Sequence, residues 1–81
     1  MKFYPTASFV QHYKKLPLKI QKKVDKALNL LSKDLRYPSL RCKKYDEEKD
    51  IWQGRVNRSC RFYFLIKEDT YILLEIKFHP K

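Results

Sequence analysis

The stretch RFYFLIKEDTYILLEIKF, residues 61–78, decides the fold. Two runs rich in aromatic and β-branched residues, 61–66 and 71–78, flank the polar residues KEDT, which is the pattern of two strands joined by a hairpin turn. The same rhythm extends upstream. IWQGRV at 51–56 reads as a strand, with NRSC after it and EEKD before it as turns, and LRCKKYD at 40–46 reads as a polar strand. Sequential strands joined by short turns form an antiparallel meander.

The first half of the chain has a helical period instead. KFY at 2–4 suits a short edge strand ended by Pro5, and Thr6 suits a helix N-cap. Phe9, Val10, Tyr13 and Leu16 recur at helical spacing. Pro17 breaks that helix and fits the first turn of the next. Ile20, Val24, Ala27, Leu28 and Leu31 then form one apolar stripe, with Lys19, Lys22, Lys23 and Lys26 largely elsewhere. This helix should end near Leu35, because Pro38 biases Tyr37 away from helical geometry. The expectation is an α+β fold: two N-terminal helices packed on one face of a curved antiparallel sheet of three to five strands, forming a single domain over 1–81.

Composition narrows the function classes. The chain has 81 residues, enough for one thin core, and 43% of them are hydrophobic, which argues against disorder. The longest apolar run, Phe62 to Ile66, falls far short of the roughly 20 residues of a membrane span. The opening MKFYPTASFV lacks the apolar centre of a signal peptide, so a cytosolic protein is expected, with no membrane partner. Nineteen Lys and Arg against nine Asp and Glu give a net charge of +10, which points to an anionic partner, nucleic acid first and an acidic protein segment second. A solubilising lysine coat is the plainer alternative. Cys42 and Cys60 make no metal-binding pattern with His12 and His79, so no metal or other cofactor is expected, and both thiols read as small core or sheet residues.

Strand side chains alternate between faces. Phe62, Phe64 and Ile66, with Ile72, Leu74, Ile76 and Phe78, should therefore face the helices, together with Trp52, Gly54 and Val56. Arg61, Tyr63 and Leu65 should face outward, with Tyr71, Leu73, Glu75, Lys77 and His79, and with Ile51, Gln53 and Arg55. Burying Glu75, Lys77 or Arg61 without partners would be costly. Antiparallel pairing then brings Arg61, which opens its strand, beside His79, which closes the next. Arg binds phosphate through a planar fork, and His exchanges protons near neutrality. Tyr63 and Trp52 can stack on a base. That set suits metal-free RNA cleavage, in which the 2′-hydroxyl attacks the adjacent phosphate, Arg steadies the added charge and His moves a proton. From spacing alone, a solvated basic face with an incidental terminal histidine is the simpler account.

The ordered phrases LPLKIQKKVDKALNLLSKD, PSLRCKKY, IWQGRVNRSCRFYF and YILLEIKFH resemble the RelE/ParE toxin superfamily of type II toxin–antitoxin systems over almost the whole chain. The resemblance implies a toxin. RelE-like members cleave mRNA, often on the ribosome; ParE-like members inhibit DNA gyrase; a cognate antitoxin protein neutralises either. It implies that Arg61 binds the scissile phosphate, that Arg55 assists it, and that His79 is catalytic as in the YoeB- and YafQ-related members. Lys43 and Lys44 match basic residues that hold the RNA or ribosomal RNA backbone. Gln53 and Lys77, with Tyr63, complete the expected RNA contacts of the open face, and Trp52 is expected to contact RNA as a stacking ring. Cys60 stands where an aromatic residue is common, and no terminal aromatic follows His79. Glu75 and Glu48 are the candidate general bases. The histidine favours the mRNA endoribonuclease branch. A non-catalytic RNA- or protein-binding relic of the same fold and a gyrase inhibitor are the alternatives. The lysines of the second helix fit acidic antitoxin residues, ribosomal RNA or plain solvation.

Overall fold

In the computed structural model, which describes residues 1–78, the elements run β1 (Lys2–Pro5), α1 (Ala7–Lys14), α2 (Leu18–Lys33), a 3-10 turn (Pro38–Leu40), β2 (Lys43–Asp46), β3 (Ile51–Asn57), β4 (Cys60–Lys67) and β5 (Thr70–Phe78). The strands form one sheet in the order β1-β5-β4-β3-β2. β2 to β5 are the expected antiparallel meander. β1 joins the far edge and runs parallel to β5, with Phe3 opposite Tyr71 and Pro5 opposite Leu73, so the five-stranded sheet is mixed. Both helices supply the core on one face: Phe9 from α1, and Val24, Ala27 and Leu31 from α2, pack with Phe62, Phe64, Tyr71, Leu73 and Ile76 of the sheet. No helix among the described residues is long and apolar enough to cross a membrane.

Strict alternation does not survive along β5. Tyr63 pairs with Glu75 but the next residue, Phe64, pairs with Leu73, so Leu74 is an extra residue that bulges out of the ladder. The bulge reverses the faces. Tyr71 and Leu73, expected outside, are buried in the core, whereas Ile72 and Leu74, expected inside, are only half-buried. Beyond the bulge Ile76 is buried, and Glu75 and Lys77 lie on the outer face as alternation requires.

Thr6 fixes this irregularity. Its backbone N–H donates to the Leu73 carbonyl at 3.0 Å. Its hydroxyl lies 2.9 Å from the Leu73 carbonyl and 3.1 Å from the Leu74 carbonyl, and accepts the Phe9 N–H at 3.3 Å as the expected N-cap. Past the end of β1 the Ile76 N–H would lack a ladder partner; it donates to Nδ1 of His12 on α1 at 3.1 Å. Pro17 precedes α2, and its carbonyl accepts from Ile20 and Gln21 at 2.9 and 3.0 Å. The Tyr13 hydroxyl donates to Asp25 at 2.7 Å, tying α1 to α2.

The single glycine serves packing rather than a turn. Gly54 lies opposite Phe62, and a methyl group there would come within 2.5 Å of Cε1 and 3.0 Å of Cε2 of that ring. The hairpin turns use Asp50 and Glu68 in the left-handed region instead, at φ 58° and 56°.

Two substitutions test these supports. Thr6→Ala should lower stability by about 1–2 kcal/mol in urea unfolding, with Thr6→Ser closer to the parent. Gly54→Ala should cost about 1–3 kcal/mol, because the fully buried Phe62 ring must leave its rotamer. In a domain this small each kcal/mol corresponds to about 4–8 °C in Tm, readable by calorimetry.

Candidate active site on the open face

The ladder registers place two rows of polar side chains across the uncovered face of the sheet. One row runs Lys43, Gln53, Tyr63, Glu75; the next runs Arg55, Arg61, Lys77. Within them Lys43, Gln53, Arg55 and Arg61 line a cleft of about 300 Å³, together with Arg41. Four of its five lining residues are cations and none is a carboxylate. Among the described residues the ion pairs within 4.0 Å join Lys2 to Asp69, Lys44 to Asp50 and Lys77 to Glu75, so none of the four cleft cations is paired. Cations gathered this closely repel one another, and a bound anion relieves that repulsion.

Arg61 is braced. Its Nη1 donates to the Asn57 carbonyl and, at 3.1 Å, to the Cys60 carbonyl, so the guanidinium is anchored to the β3–β4 turn. That turn is itself held by Asn57, whose Oδ1 accepts the Ser59 N–H at 2.8 Å. The remaining N–H groups of the fork are left for the cleft that Arg61 lines, with their direction already set. Cys60, the neighbour of Arg61, is fully buried, and burial pushes its thiol up to about 11. It stays protonated at neutral pH and is no nucleophile. The Cys42 thiol is raised by burial in the same way.

Arg41 was missed because LRCKKYD reads as one continuous strand. Leu40 instead ends the 3-10 turn and is buried, Arg41 adopts left-handed geometry at φ 47°, and the strand begins at Lys43. A non-glycine residue in that region is uncommon, and here it turns a basic side chain into the cleft.

The expected aromatic contacts are rearranged. Tyr63 is on the open face but only 6% exposed. The Tyr45 ring meets it edge-on at 4.9 Å, and the Lys77 ammonium lies 5.2 Å from its centre. Burial raises the Tyr63 hydroxyl above its usual value. The accessible aromatic is Tyr45, 54% exposed, which folds over Tyr63 because it is the extra residue in β2: Lys44 pairs with Trp52 and Asp46 with Ile51. Trp52 belongs to the helix-facing side, stacked on Phe64 at 6.3 Å. Lys44 accompanies it, 5.3 Å from the indole centre and 2.5 Å from Asp50. Lys44 and Trp52 therefore stand apart from the cleft.

Lys77 follows Arg61 in its row and pairs with Glu75 at 3.7 Å. Glu75 is a carboxylate of the open face, beside Tyr63. Glu48 sits in the exposed β2–β3 turn, where Asp46 accepts its N–H. His79 lies outside the described residues. No cluster of three His, Cys, Asp or Glu side chains suited to a metal occurs among the described residues.

No protein-family model matches the sequence, and no curated protein matches it. Solved structures do match in shape. A YoeB/ParE toxin from Agrobacterium tumefaciens aligns over 99% of this chain and 100% of its own, with TM-score 0.81 and 14% identity. The heterotetrameric YoeB-YefM toxin-antitoxin complex from Staphylococcus aureus aligns over 99% and 98%, with TM-score 0.78 and 14% identity. The toxin-antitoxin complex RelBE2 from Mycobacterium tuberculosis aligns over 96% of each chain, with TM-score 0.76 and 22% identity. The two helices, the mixed five-stranded sheet and their order in this chain are thus the fold of the YoeB/ParE and RelE toxin structures.

Proposed function

We propose that this protein is the toxin of a type II toxin–antitoxin pair and cleaves mRNA on the ribosome without a metal. The observation that carries the reading is the cleft in which Arg41, Lys43, Arg55 and Arg61 converge with no carboxylate among them. One phosphodiester fits its charge and its forked donors. The shared fold of toxins seen with their antitoxins supports the biological setting.

In this mechanism the cleft binds the two non-bridging oxygens of one linkage. The 2′-oxygen attacks phosphorus, its proton leaves to a base, and the 5′-oxygen departs with a proton from an acid, giving a 2′,3′-cyclic phosphate and a 5′-hydroxyl. Arg61 and Arg55 stabilise the negative charge that grows on the phosphoryl oxygens. Glu75 is the base nearest this row, and His79, one residue after Phe78, supplies the acid. Lys43 and Gln53 hold the strand, and Tyr45 offers the exposed ring on which a base stacks, over Tyr63 and Lys77. The antitoxin is an acidic segment that covers the same basic surface.

Purified protein, with translating ribosomes and with free RNA, should cut RNA and leave DNA of the same sequence intact, since DNA lacks the 2′-hydroxyl. Arg61→Ala should slow single-turnover cleavage by about 10²–10³ and, through its lost anchor to the β3–β4 turn, lower stability by about 1 kcal/mol, while His79→Ala should slow cleavage by about 10²–10⁴. Intact RNA in every condition, or full activity in both variants, sinks the proposal. A DNA-damage response with intact mRNA on expression would instead favour gyrase inhibition.

A further inference from the structure

The lysines of α2 are not equivalent. Lys19 and Lys22 lie outside every cleft described here, whereas Lys23 and Lys26 line a second one of about 270 Å³ between α2, the 3-10 turn and the end of β3. Ser39 and Asn57 lie in the same lining, and so does Arg55. Arg55 therefore borders both this cleft and the candidate active site. The topology explains the junction. β2 pairs with β3 only as far as Lys43 opposite Gln53, so beyond Gln53 the flank of β3 meets the 3-10 turn rather than a strand. Val56 is an extra residue there, since Arg55 pairs with Arg61 and Asn57 with Cys60. A bulge raises local twist and re-aims side chains, which leaves Arg55 at the border of the two clefts.

We propose that Lys23, Lys26 and Arg55 form a second phosphate subsite, which holds the RNA strand next to the linkage seated at Arg61. This deepens the nuclease reading and rests on it. Neither cleft is lined by a carboxylate, and none of these three cations is in an ion pair among the described residues. Two cationic clefts sharing one guanidinium suit a ligand with regularly repeated negative charges. Lysine point charges, with Ser39 and Asn57 as hydrogen-bonding groups, hold a backbone irrespective of base sequence. Strands longer than a dinucleotide gain from this subsite; a dinucleotide occupies the Arg61 cleft alone.

The test compares 2′-O-methyl oligoribonucleotides, a dinucleotide and an octanucleotide, by titration at several salt concentrations. Lys23→Ala/Lys26→Ala should weaken octanucleotide binding on the order of tenfold and flatten the log–log salt slope by about 0.7 per lysine. Binding of the methylated dinucleotide and cleavage of its unmodified counterpart should not change. Lys19→Ala/Lys22→Ala, which removes equal charge from the same helix, should match the parent. Both replaced pairs are exposed, so folding is preserved. Equal losses in the two double variants would reduce α2 to a general charged coat and overturn the subsite. So would retention of the length advantage in Lys23→Ala/Lys26→Ala. Loss of polyglutamate binding with intact RNA binding would assign the surface to an acidic protein segment and overturn it too. A parent protein that binds in this pattern yet cuts no RNA keeps the subsite and removes the nuclease reading.

Discussion

The extra residue at Leu74 determines which side of β5 meets the helices at each end of the strand. With strict alternation, burying Tyr71 and Leu73 would also bury Glu75 and Lys77 against the helices, a heavy penalty without partners. Burying Ile76 would in turn expose Tyr71 and Leu73. One inserted residue lets both apolar groups face inward. Thr6 secures the insertion from the end of β1, where its backbone N–H reaches the Leu73 carbonyl. The polar row Arg55, Arg61, Lys77 exists because the second half of β5 is in the register that the bulge sets.

The open face gathers positive charge at some expense to the folded state. Arg41 has a backbone geometry that few side chains accept, and four cations without an ion-pair partner among the described residues share one cleft. Neither feature helps the empty protein fold, and such local violations tend to mark sites of function. The rest of the structure absorbs them. The opposite face is packed around Phe62 and Phe64, and the described residues hold no buried polar side-chain atom without a partner. Arg61 contributes to both sides of that balance, because the guanidinium aimed at the cleft also closes the β3–β4 turn.

Periodicity alone carried most of the fold. The stripe through Val24, Ala27 and Leu31 and the hairpin around KEDT appear as expected, and Arg55 and Arg61 share one face beside the β3–β4 turn. What the sequence hides is a change of register. A bulge has no composition signal, so the faces of 71–74 came out reversed, and Tyr45 was not seen as the exposed ring. Arg41 was hidden for a related reason: a single left-handed residue between Leu40 and Cys42 looks like strand. Alternation already turns Trp52 toward the helices, which conflicts with its expected stacking on a base, and Lys44, an RNA contact by resemblance, shares that side in the register. The parallel direction of β1 follows from tertiary pairing with a segment far along the chain and has no local cue.

That pairing also orders events in time. Thr6 bonds to a residue 67 positions away, and among the described residues β1 has no sheet neighbour other than β5. During synthesis β1 waits until β5 has been made before it can dock. Long-range closure of this kind slows folding relative to a helical bundle of equal length. A nascent chain that stops short of β5 therefore lacks the finished basic surface, which comes into being only once translation has passed Lys77.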